Sequence, residues 1–363
     1  MAALKRIGIL TGGGDCPGLN AVIRAVAKSA LAGGLEVVGI MDGYLGLIED
    51  RMRPLSYEDV SNILTVGGTI LGSSNKANPA KYAVPDGLGG WTIRDVREEV
   101  VATCRRAGLD ALVVIGGDGT MSGAHELIRR GLNVVGVPKT IDNDLCATEI
   151  TFGHHTAVAT ASDALDKVHT TASSHHRVMV VELMGRYAGW LALHAGVASG
   201  ADVILIPEIP FDIEKVAKTC SDRRKVGKGF TIVAVGEGAK PVGGKQFVDH
   251  VVADSPDPIR LGGVGKFVAE QVEKLTGLDS RSIVLGHVQR GGTPTSFDRL
   301  LATRFGYHAF RLLQDGRFGR LVVQQKGEID SVPISDVAGK VRTVPGDYDA
   351  VLAARAIGTC FGD

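Results

Sequence analysis

The chain has few of the features that mark membrane, nucleic-acid-binding or zinc proteins. No apolar run reaches the ~18 residues needed to span a bilayer. Lysine and arginine (40) are balanced by aspartate and glutamate (40), so no overall basic charge favours nucleic acid or an anionic membrane. The five cysteines are scattered and form no Cys-x-x-Cys pair, which disfavours a zinc site and a disulfide framework. We therefore expect a protein without nucleic-acid or membrane partners.

Signals for export and for modular construction are also missing. A predicted strand begins at residue 6, which leaves no room for a signal peptide, so we expect a cytoplasmic protein. We find no internal repeat and no low-complexity segment. With 363 residues, 44% of them hydrophobic, the chain is long enough for a large core and two domains.

Glycine, in contrast, is abundant. The 49 glycines form short clusters at the ends of apolar runs, which indicates tight strand-to-helix turns. Continuous apolar runs that alternate with amphipathic stretches predict parallel sheets with buried strands and right-handed crossovers. Ligands then bind beyond the carboxyl ends of the strands. Strands are predicted at 6–10, 36–40, 111–115, 133–137, 177–183, 202–206, 230–235 and 282–285, and helices at 19–32, 93–107, 121–130, 157–170 and 265–275, with a domain boundary near residue 154.

Two segments that follow predicted strands carry the clearest chemistry. Glycines in Gly-Gly-Asp-Gly-Thr (116–120) let backbone N–H groups approach a phosphate closely. The segment Pro-Lys-Thr-Ile-Asp-Asn-Asp (138–144) adds a lysine, a hydroxyl and carboxylates. This combination suits phosphoryl transfer: one Asp would hold a cation, and a second would take a proton from the attacking hydroxyl. Asp118 is the candidate ligand for Mg²⁺, because a hard cation prefers carboxylate oxygen.

Three further motifs are ambiguous when taken alone. Thr-Gly-Gly-Gly-Asp-Cys-Pro-Gly-Leu-Asn (11–20) has the form of a phosphate loop before a helix N-terminus, although an ordinary tight turn is the alternative. Arg186 in 182–190 could clamp a phosphate or be a surface residue. His287 and Arg290, with Arg281 and Arg177, indicate an anion site. The histidine pairs 154–155 and 175–176 point in different directions, so we interpret them as structural.

Taken together in chain order, the motifs resemble those of the bacterial-type 6-phosphofructokinases, the phosphofructokinase A family. The resemblance extends along nearly the whole chain. The resemblance implies two similar Rossmann-like α/β domains with mainly parallel sheets and an active-site cleft between them. Residues 1–154 plus about 289–338 would bind the phosphate donor, and 155–288 plus about 339–363 would bind the sugar phosphate. The motifs are those quoted above, with Gly-Gly-Thr-Ile-Leu-Gly-Ser (67–73), Val-Glu-Leu-Met-Gly-Arg (181–186), Gly-Glu-Gly-Ala (236–239) and Gly-His-Val-Gln-Arg-Gly-Gly (286–292).

The resemblance also implies the reaction and the roles of individual residues. ATP would phosphorylate D-fructose 6-phosphate at its 1-hydroxyl in an Mg²⁺-dependent step of glycolysis, and a homo-oligomer, dimer or tetramer, would share Arg177 and Arg281 across subunits. Asp142 would be the base, with Thr140 and Arg186 as further catalytic residues. The donor would contact Gly13, Asn75, Lys76, Gly117, Asp118, Gly119 and Thr120. The sugar phosphate would contact Thr140, Asp142, Arg177, Met184, Gly185, Arg186, Glu237, Arg281, His287 and Arg290.

The choice of donor depends on Gly119 and Lys139. Pyrophosphate users of this family typically carry Asp at the first position and Lys at the second, whereas the best-studied bacterial ATP users carry Gly at both. A carboxylate at 119 would crowd and repel the α-phosphate of a nucleotide. With Gly119 and Lys139 the chain resembles the mixed-substrate subgroup of the family, in its ATP-using branch. We expect ATP, because exclusion by bulk and charge is harder to evade than one added attraction. A pyrophosphate-dependent or dual-donor enzyme is the alternative.

One departure from the family pattern keeps other functions open. Asn75 stands where the family usually places an arginine that bridges donor and sugar phosphate, and an amide cannot neutralise charge as a guanidinium does. Either Lys76 or Lys139 covers the loss, or turnover is reduced, or the acceptor is another sugar phosphate such as sedoheptulose 7-phosphate. A non-catalytic sugar-phosphate sensor is an alternative of another class. An NAD-kinase-like activity is disfavoured by the segment around His287 and Arg290.

Overall fold

The computed structural model describes residues 4–255 and 257–363, in which two larger sheets and two hairpins are found. The strands are β1 (Arg6–Thr11), β2 (Glu36–Ile40), β3 (Met52–Pro54), β4 (Tyr82–Pro85), β5 (Trp91–Arg94), β6 (Ala111–Gly116), β7 (Val134–Thr140), β8 (Phe152–Gly153), β9 (Val178–Leu183), β10 (Val203–Leu205), β11 (Thr231–Gly236), β12 (Val248–Val251), β13 (Ile259–Leu261), β14 (Ser280–Val284), β15 (Arg320–Gln325) and β16 (Glu328–Pro333). The helices are α1 (Leu19–Ala32), α2 (Tyr44–Ile48), α3 (Arg97–Arg106), α4 (Asp118–Ile128), α5 (His154–His175), α6 (Trp190–Ala198), α7 (Ile213–Lys225), α8 (Val264–Thr276), α9 (Ser296–Gln314) and α10 (Asp349–Ala356), with short 3-10 helices at Gly286–Arg290 and Ile334–Asp336. Among these helices none is long and apolar enough to cross a membrane.

The two larger sheets are mainly parallel. The first has the order β16-β15-β7-β6-β1-β2-β3, with β8 paired to β7, and its edge strands β3 and β16 run antiparallel. The second, β10-β11-β9-β14, is parallel throughout, and Cys360 forms a bridge beside Val203 at its edge. The predicted α/β class with mainly parallel sheets is therefore confirmed. The domain boundaries stay a prediction, and residues 1–3 and 256 within them lie outside the described part of the chain.

Burial explains why the apolar runs form inner strands. Every residue of β6, β9 and β11 is buried. Alternate residues of β6 enter different clusters: Val113 and Ile115 pack in the cluster that includes α1 and α9, whereas Leu112 and Val114 pack with residues of α3 and α4. Helices thus cover both faces of the first sheet, which is why its strands are apolar without alternation.

The main error in the predicted elements concerns the helix at 93–107. Trp91–Arg94 instead forms β5, which pairs antiparallel with β4 as a hairpin, and helix α3 begins only at Arg97. The glycine-rich turn 86–90 and the β-favouring residues after it are better satisfied by the hairpin. Another difference is that β7 continues to Thr140, so Lys139 belongs to the strand and not to the loop after it.

Helices α1 and α9 pack unusually closely. A Cβ atom added to Gly306 in α9 would lie 2.7 Å from the Cβ of Ala25 and 2.9 Å from the carbonyl oxygen of Val22 in α1. This contact matters for the cleft, because α1 follows the glycine loop 12–18 and α9 follows the segment 286–292. The close crossing of the helices therefore keeps these two loops together.

We predict that Gly306→Ala destabilises the protein. The substitution gains helix propensity of about 1 kcal/mol, but the methyl group collides with the backbone of α1, and overpacking of this kind typically costs about 1–3 kcal/mol. Urea denaturation should show a lower midpoint for this variant. Gly346→Ala is the control, because its added Cβ meets no atom within 4 Å and the backbone φ of Gly346 is not in the positive region that disfavours a side chain. Equal midpoints for the two variants would contradict the proposed role of the crossing.

Candidate active site

A cleft of ≈ 520 Å³ lies at the carboxyl ends of strands from both sheets. It is lined by Gly13 after β1, Gly117 after β6, Asp142 after β7, Met184 after β9 and Glu237 after β11. Because parallel strands end at the same edge of a sheet, segments far apart in sequence meet here.

Most of the predicted site residues line this cleft. They are Gly13, Asn75, Gly117, Asp118, Gly119, Thr120, Lys139, Thr140, Asp142, Met184, Arg186, Glu237, His287 and Arg290. Gly185 lies between two lining residues without lining the cleft itself. Lys76, Arg177 and Arg281 are not part of its wall.

The first glycine loop is held against two cations. The ammonium group of Lys139 donates a hydrogen bond to the carbonyl oxygen of Gly14. A Cβ atom at Gly14 would lie 2.9 Å from Cζ of Arg290, so only glycine leaves room for this guanidinium. Lys139 is 4% exposed, and burial lowers its pKa. The loop thus brings a cation from β7 and another from the 3-10 helix Gly286–Arg290 to one wall of the cleft.

The second glycine segment forms the start of α4. Gly117 is the N-cap and Asp118 is the first helical residue, so the positive end of the helix dipole faces the cleft. The backbone N–H of Gly339 donates to Oδ1 of Asp118 at 2.7 Å, and burial raises the pKa of this carboxyl. The hydroxyl of Tyr44 donates to the carbonyl oxygen of Thr120 at 2.7 Å, which fixes the first turn of the helix.

The loop after β7 presents a carboxylate with a free oxygen. The backbone N–H of Asp142 donates to Oγ1 of Thr140 at 3.0 Å, whereas the buried Oδ1 of Asp142 has no hydrogen-bond partner in the described part of the chain. Asn143 adopts a left-handed conformation (φ 53°), and its side chain accepts a hydrogen bond from the N–H of Thr151 at 3.0 Å. Asn143 therefore shapes the turn, while Asp142 remains available to a ligand.

Other carboxylates crowd Asp142. Burial, together with the charge of Asp142, raises the pKa values of both Asp144 and Glu237 to about 7. Asp118, Asp142, Asp144 and Glu237 all line the same cleft. This concentration of negative charge favours bound cations and disfavours a phosphate ligand unless cations accompany it.

Arg186 enters the cleft on a strained turn. Its backbone φ is 52°, and its N–H donates to Oε1 of Glu237 at 2.9 Å. Its guanidinium forms an ion pair with Asp257, a residue just before β13. The neighbouring Glu182 is structural, because it accepts hydrogen bonds from the N–H groups of Gly263 and Gly265 at the start of α8.

Two predicted arginines lie elsewhere. Arg177 and Arg281 both form ion pairs with Asp279, at the amino ends of β9 and β14 and therefore at the opposite end of the second sheet from the cleft. Lys76 forms an ion pair with Asp254 at 2.5 Å, and its side chain is 53% exposed. Within this one chain these three cations do not contact the cleft.

Sequence reasoning missed the hairpin of β12 and β13, whose residues close one side of the cleft. Asp249, His250, Asp257 and Arg260 belong to this wall. The two strands are short and mostly exposed, so they lack the apolar periodicity on which strand prediction depends. The Asp-Ser-Pro-Asp-Pro run at 254–258 is a turn signal that could have revealed the hairpin.

Comparison with known proteins agrees with this picture. Residues 6–313 match the sequence model of the phosphofructokinase family. The chain is 49% identical to ATP-dependent 6-phosphofructokinase 2 of Clostridium perfringens over the whole of both chains. It is also 49% identical to the pyrophosphate–fructose 6-phosphate 1-phosphotransferase of Amycolatopsis methanolica, over 94% of this chain and 96% of that one.

Solved structures show the same fold. Phosphofructokinase from Pichia pastoris in the T-state matches with a TM-score of 0.79 and 33% identity over 93% of this chain, which spans 36% of the Pichia chain. The pyrophosphate-dependent phosphofructokinase from Nitrosospira multiformis matches with a TM-score of 0.81 and 21% identity, over 99% of this chain and 93% of that one.

Glycine turns, cations and carboxylates at the carboxyl ends of parallel strands are typical of α/β proteins that bind phosphates. Together with the match over most of its length, they identify the family. The chain belongs to the phosphofructokinase family.

We predict that Asp144→Asn stabilises the protein at neutral and higher pH. Because the pKa of Asp144 is raised in the folded state, the folded protein retains a proton that the unfolded chain loses, and stability falls as pH rises from about 4 to about 7. The amide removes this loss, so the free energy of unfolding at pH 8 should rise by about 1–2 kcal/mol, and the gain should shrink toward pH 4. Urea denaturation between pH 4 and pH 8 measures the difference.

The control is Asp166→Asn on the exposed face of α5. As a substitution on an exposed helix face, it should change the free energy of unfolding by no more than about 0.5 kcal/mol at pH 8. A gain from Asp144→Asn that is equal at pH 4 and pH 8 would contradict the raised pKa.

Proposed function

We propose that the protein transfers the γ-phosphoryl group of ATP to the 1-hydroxyl of D-fructose 6-phosphate, which gives fructose 1,6-bisphosphate in glycolysis in the cytoplasm. The observation that carries the proposal is the free Oδ1 of Asp142, buried in a cleft whose facing walls hold a glycine phosphate loop and a cluster of cations. Full-length identity of 49% to an ATP-dependent enzyme supports it.

In this proposal Asp142 is the general base. Its unpaired oxygen would accept the proton of the 1-hydroxyl as the oxygen attacks the γ-phosphorus. Thr140 holds the backbone of Asp142 through its hydroxyl. Asp144, whose pKa is raised to about 7 by burial and by the charge of Asp142, is the weaker candidate, because only about half of it is in the proton-accepting form near pH 7.

Charge neutralisation would come from the cations around the glycine loop. Lys139 and Arg290 lie against Gly14, and Arg186 faces them from the second sheet. Phosphoryl transfer depends mainly on positioning and on such electrostatic stabilisation. We assign the charge normally supplied by an arginine at position 75 to Lys139, because Lys76 pairs with Asp254 outside the cleft.

Magnesium would be held by Asp118 together with phosphate oxygens of the donor. Among the described residues no group of three or more His, Cys, Asp or Glu side chains is placed to hold a metal ion. Mg²⁺ commonly takes only one or two carboxylates and completes its shell with phosphates and water, so the raised pKa of Asp118 fits a group that gains from a nearby cation. When bound, the ion would neutralise charge on the transferred phosphoryl group.

Met184, Gly185, Arg186, Glu237, His287 and Arg290 would hold fructose 6-phosphate. Arg177 and Arg281 lie too far from their own cleft to take part, so we propose that they bind the sugar phosphate in a neighbouring subunit. This arrangement requires a homo-oligomer, a dimer or a tetramer.

Pyrophosphate is the second candidate donor, and the relative from Amycolatopsis methanolica favours it as strongly as the clostridial one favours ATP. Lys139 adds a cation to the donor site, but its charge would serve the phosphates of ATP as well as those of pyrophosphate. Gly119 leaves open space, since an added Cβ meets nothing within 4 Å. Room for a nucleotide at this point favours ATP.

Steady-state turnover of fructose 6-phosphate with Mg²⁺ and either ATP or pyrophosphate tests the donor directly. We expect turnover with ATP, and Gly119→Asp should lower kcat/KM for ATP by about tenfold or more through repulsion of the nucleotide phosphates. Gly119→Ala is the matched control and should keep kcat/KM within about threefold, because its methyl group has room. Turnover with pyrophosphate alone would reverse the choice of donor. Equal effects of Gly119→Asp and Gly119→Ala on kcat/KM would contradict the proposed repulsion of nucleotide phosphates at this position.

We also predict that Asp142→Asn lowers kcat by about 10²- to 10⁴-fold, since an amide accepts no proton from the hydroxyl. The KM for fructose 6-phosphate should change little, because the amide keeps the shape of the side chain. The measurement is the initial rate at saturating substrates, with circular dichroism to verify folding. A variant that retains kcat would remove Asp142 from the reaction.

A further inference from the structure

Two buried histidines lie behind the catalytic loop and take no part in the proposed chemistry. His154 at the start of α5 is 3% exposed, and its Nδ1 lies 2.6 Å from the carbonyl oxygen of Ile141. Its Nε2 lies 2.9 Å from Nδ1 of His194 in α6. Nε2 of His194 in turn lies 3.4 Å from the hydroxyl of Tyr348, just before α10. Four residues from separate parts of the chain thus form one line of hydrogen bonds.

The hydrogen bonds can run in one direction only. The carbonyl oxygen of Ile141 accepts and never donates, so Nδ1 of His154 carries the proton. Nε2 of His154 is then the acceptor for the Nδ1 proton of His194, and Nε2 of His194 accepts from Tyr348. Burial, followed by the neighbouring His194, lowers the pKa of His154 to about 3, and burial also lowers that of His194. Both rings are therefore neutral near pH 7, as this direction requires.

This line ends on the peptide unit that carries Asp142. Oδ1 of Asp142 has no hydrogen-bond partner within the described residues, so no hydrogen bond fixes the position of that oxygen. The backbone must supply the positioning, through two contacts: the Asp142 N–H on Thr140 and the Ile141 carbonyl under His154. A group held through its backbone is only as well placed as the peptide on either side of it.

The same loop is held from the C-terminal segment by a second route. The N–H of Arg342 donates to the carbonyl oxygen of Asp144 at 2.7 Å, and its guanidinium donates to that of Thr148 at 2.8 Å. The indole N–H of Trp190 in α6 donates to the carbonyl oxygen of Arg342 at 2.9 Å. The segment 342–348 therefore contacts the loop directly through Arg342, and helix α6 is connected to the loop through Arg342 and through the histidines.

We infer that His154 and His194 are positioning residues that, with Tyr348, fix the Ile141–Asp142 peptide and couple the catalytic base to helix α6 and the C-terminal segment. The inference rests on the proposed function of Asp142. It assigns the two histidines to the turnover step, although neither side chain lines the cleft.

The test compares kcat and KM in His154→Ala and His194→Ala with those of the wild-type protein. Loss of the contact to Ile141 should lower kcat by about 10- to 100-fold, the loss expected when a reacting group is displaced by about 1 Å, while both KM values stay within about twofold. His194→Ala should act in the same direction with a smaller loss, because His154 keeps its bond to Ile141 but loses the ring that supports it from α6. His154→Asn should recover part of kcat, since its amide N–H can replace the Nδ1 donor.

The matched control is His169→Ala. His169 belongs to the same helix α5, and its Nε2 lies 2.8 Å from the carbonyl oxygen of Ser199, away from the loop. It should lower thermal stability but leave kcat unchanged at 25 °C. If His154→Ala does not fold, Tyr348→Phe replaces it, because it removes only a hydroxyl. Equal kcat in the His154 and His169 variants, an effect on KM alone, or an unchanged kcat in Tyr348→Phe when His154→Ala is unfolded would overturn the inference.

A second readout does not depend on activity. In protein labelled with ¹⁵N-histidine, two-bond ¹H–¹⁵N spectra should show both His154 and His194 protonated on Nδ1, and His154 should keep this tautomer in His194→Ala, because the carbonyl oxygen of Ile141 still accepts its proton. A wild-type protein that turns over neither donor would defeat the proposed function and leave this spectrum as the test of the hydrogen-bond line. Protonation of His154 on Nε2 would overturn the line whatever the activity.

Discussion

The constraint on which the site depends is the placement of several carboxylates in one partly enclosed cleft. Asp118, Asp142, Asp144 and Glu237 would repel any phosphate, and burial, followed by the charge of Asp142, raises the pKa values of Asp144 and Glu237. Such an arrangement is stable and useful only with cations beside it. Lys139 and Arg290 beneath the glycine loop, and Arg186 on the opposite wall, supply part of that charge.

Close approach of backbone and side chains allows the cations to lie beside the carboxylates of the cleft. Gly14 leaves the volume that the guanidinium of Arg290 occupies, and Gly119 leaves open space above the helix start. The first glycine makes room for a protein contact, and the second borders open space in the cleft. The two roles look alike in a glycine-rich motif, and they separate only when the surroundings of each Cβ position are known.

Much of the fold and of the cleft could be predicted because the signals are local. Apolar runs mark β6 and β9, and the motifs beginning at Gly116 and Pro138 directly follow strands, so their meeting at one sheet edge follows from parallel topology. The hairpin of β12 and β13 escaped prediction because its strands are short and exposed. The partners of Lys76, Arg177 and Arg281 were equally inaccessible, because an ion pair between distant segments leaves no periodic trace in the sequence.

The histidines also show a limit of prediction from sequence. As an adjacent pair, 154–155 carries no spacing that points to function, and a satisfied structural histidine is the natural interpretation. The hydrogen bonds of His154 agree with that interpretation. The interpretation does not include their effect on the cleft, because the carbonyl group that His154 contacts belongs to the Ile141–Asp142 peptide. Because His194 and Tyr348 come from the second half of the molecule and its C-terminal segment, a shift of those elements relative to the first sheet must also move the Ile141–Asp142 peptide or break the line of hydrogen bonds. Precise placement of Asp142 is therefore a property of both halves together, which a reading of the loop 138–144 by itself could not reveal.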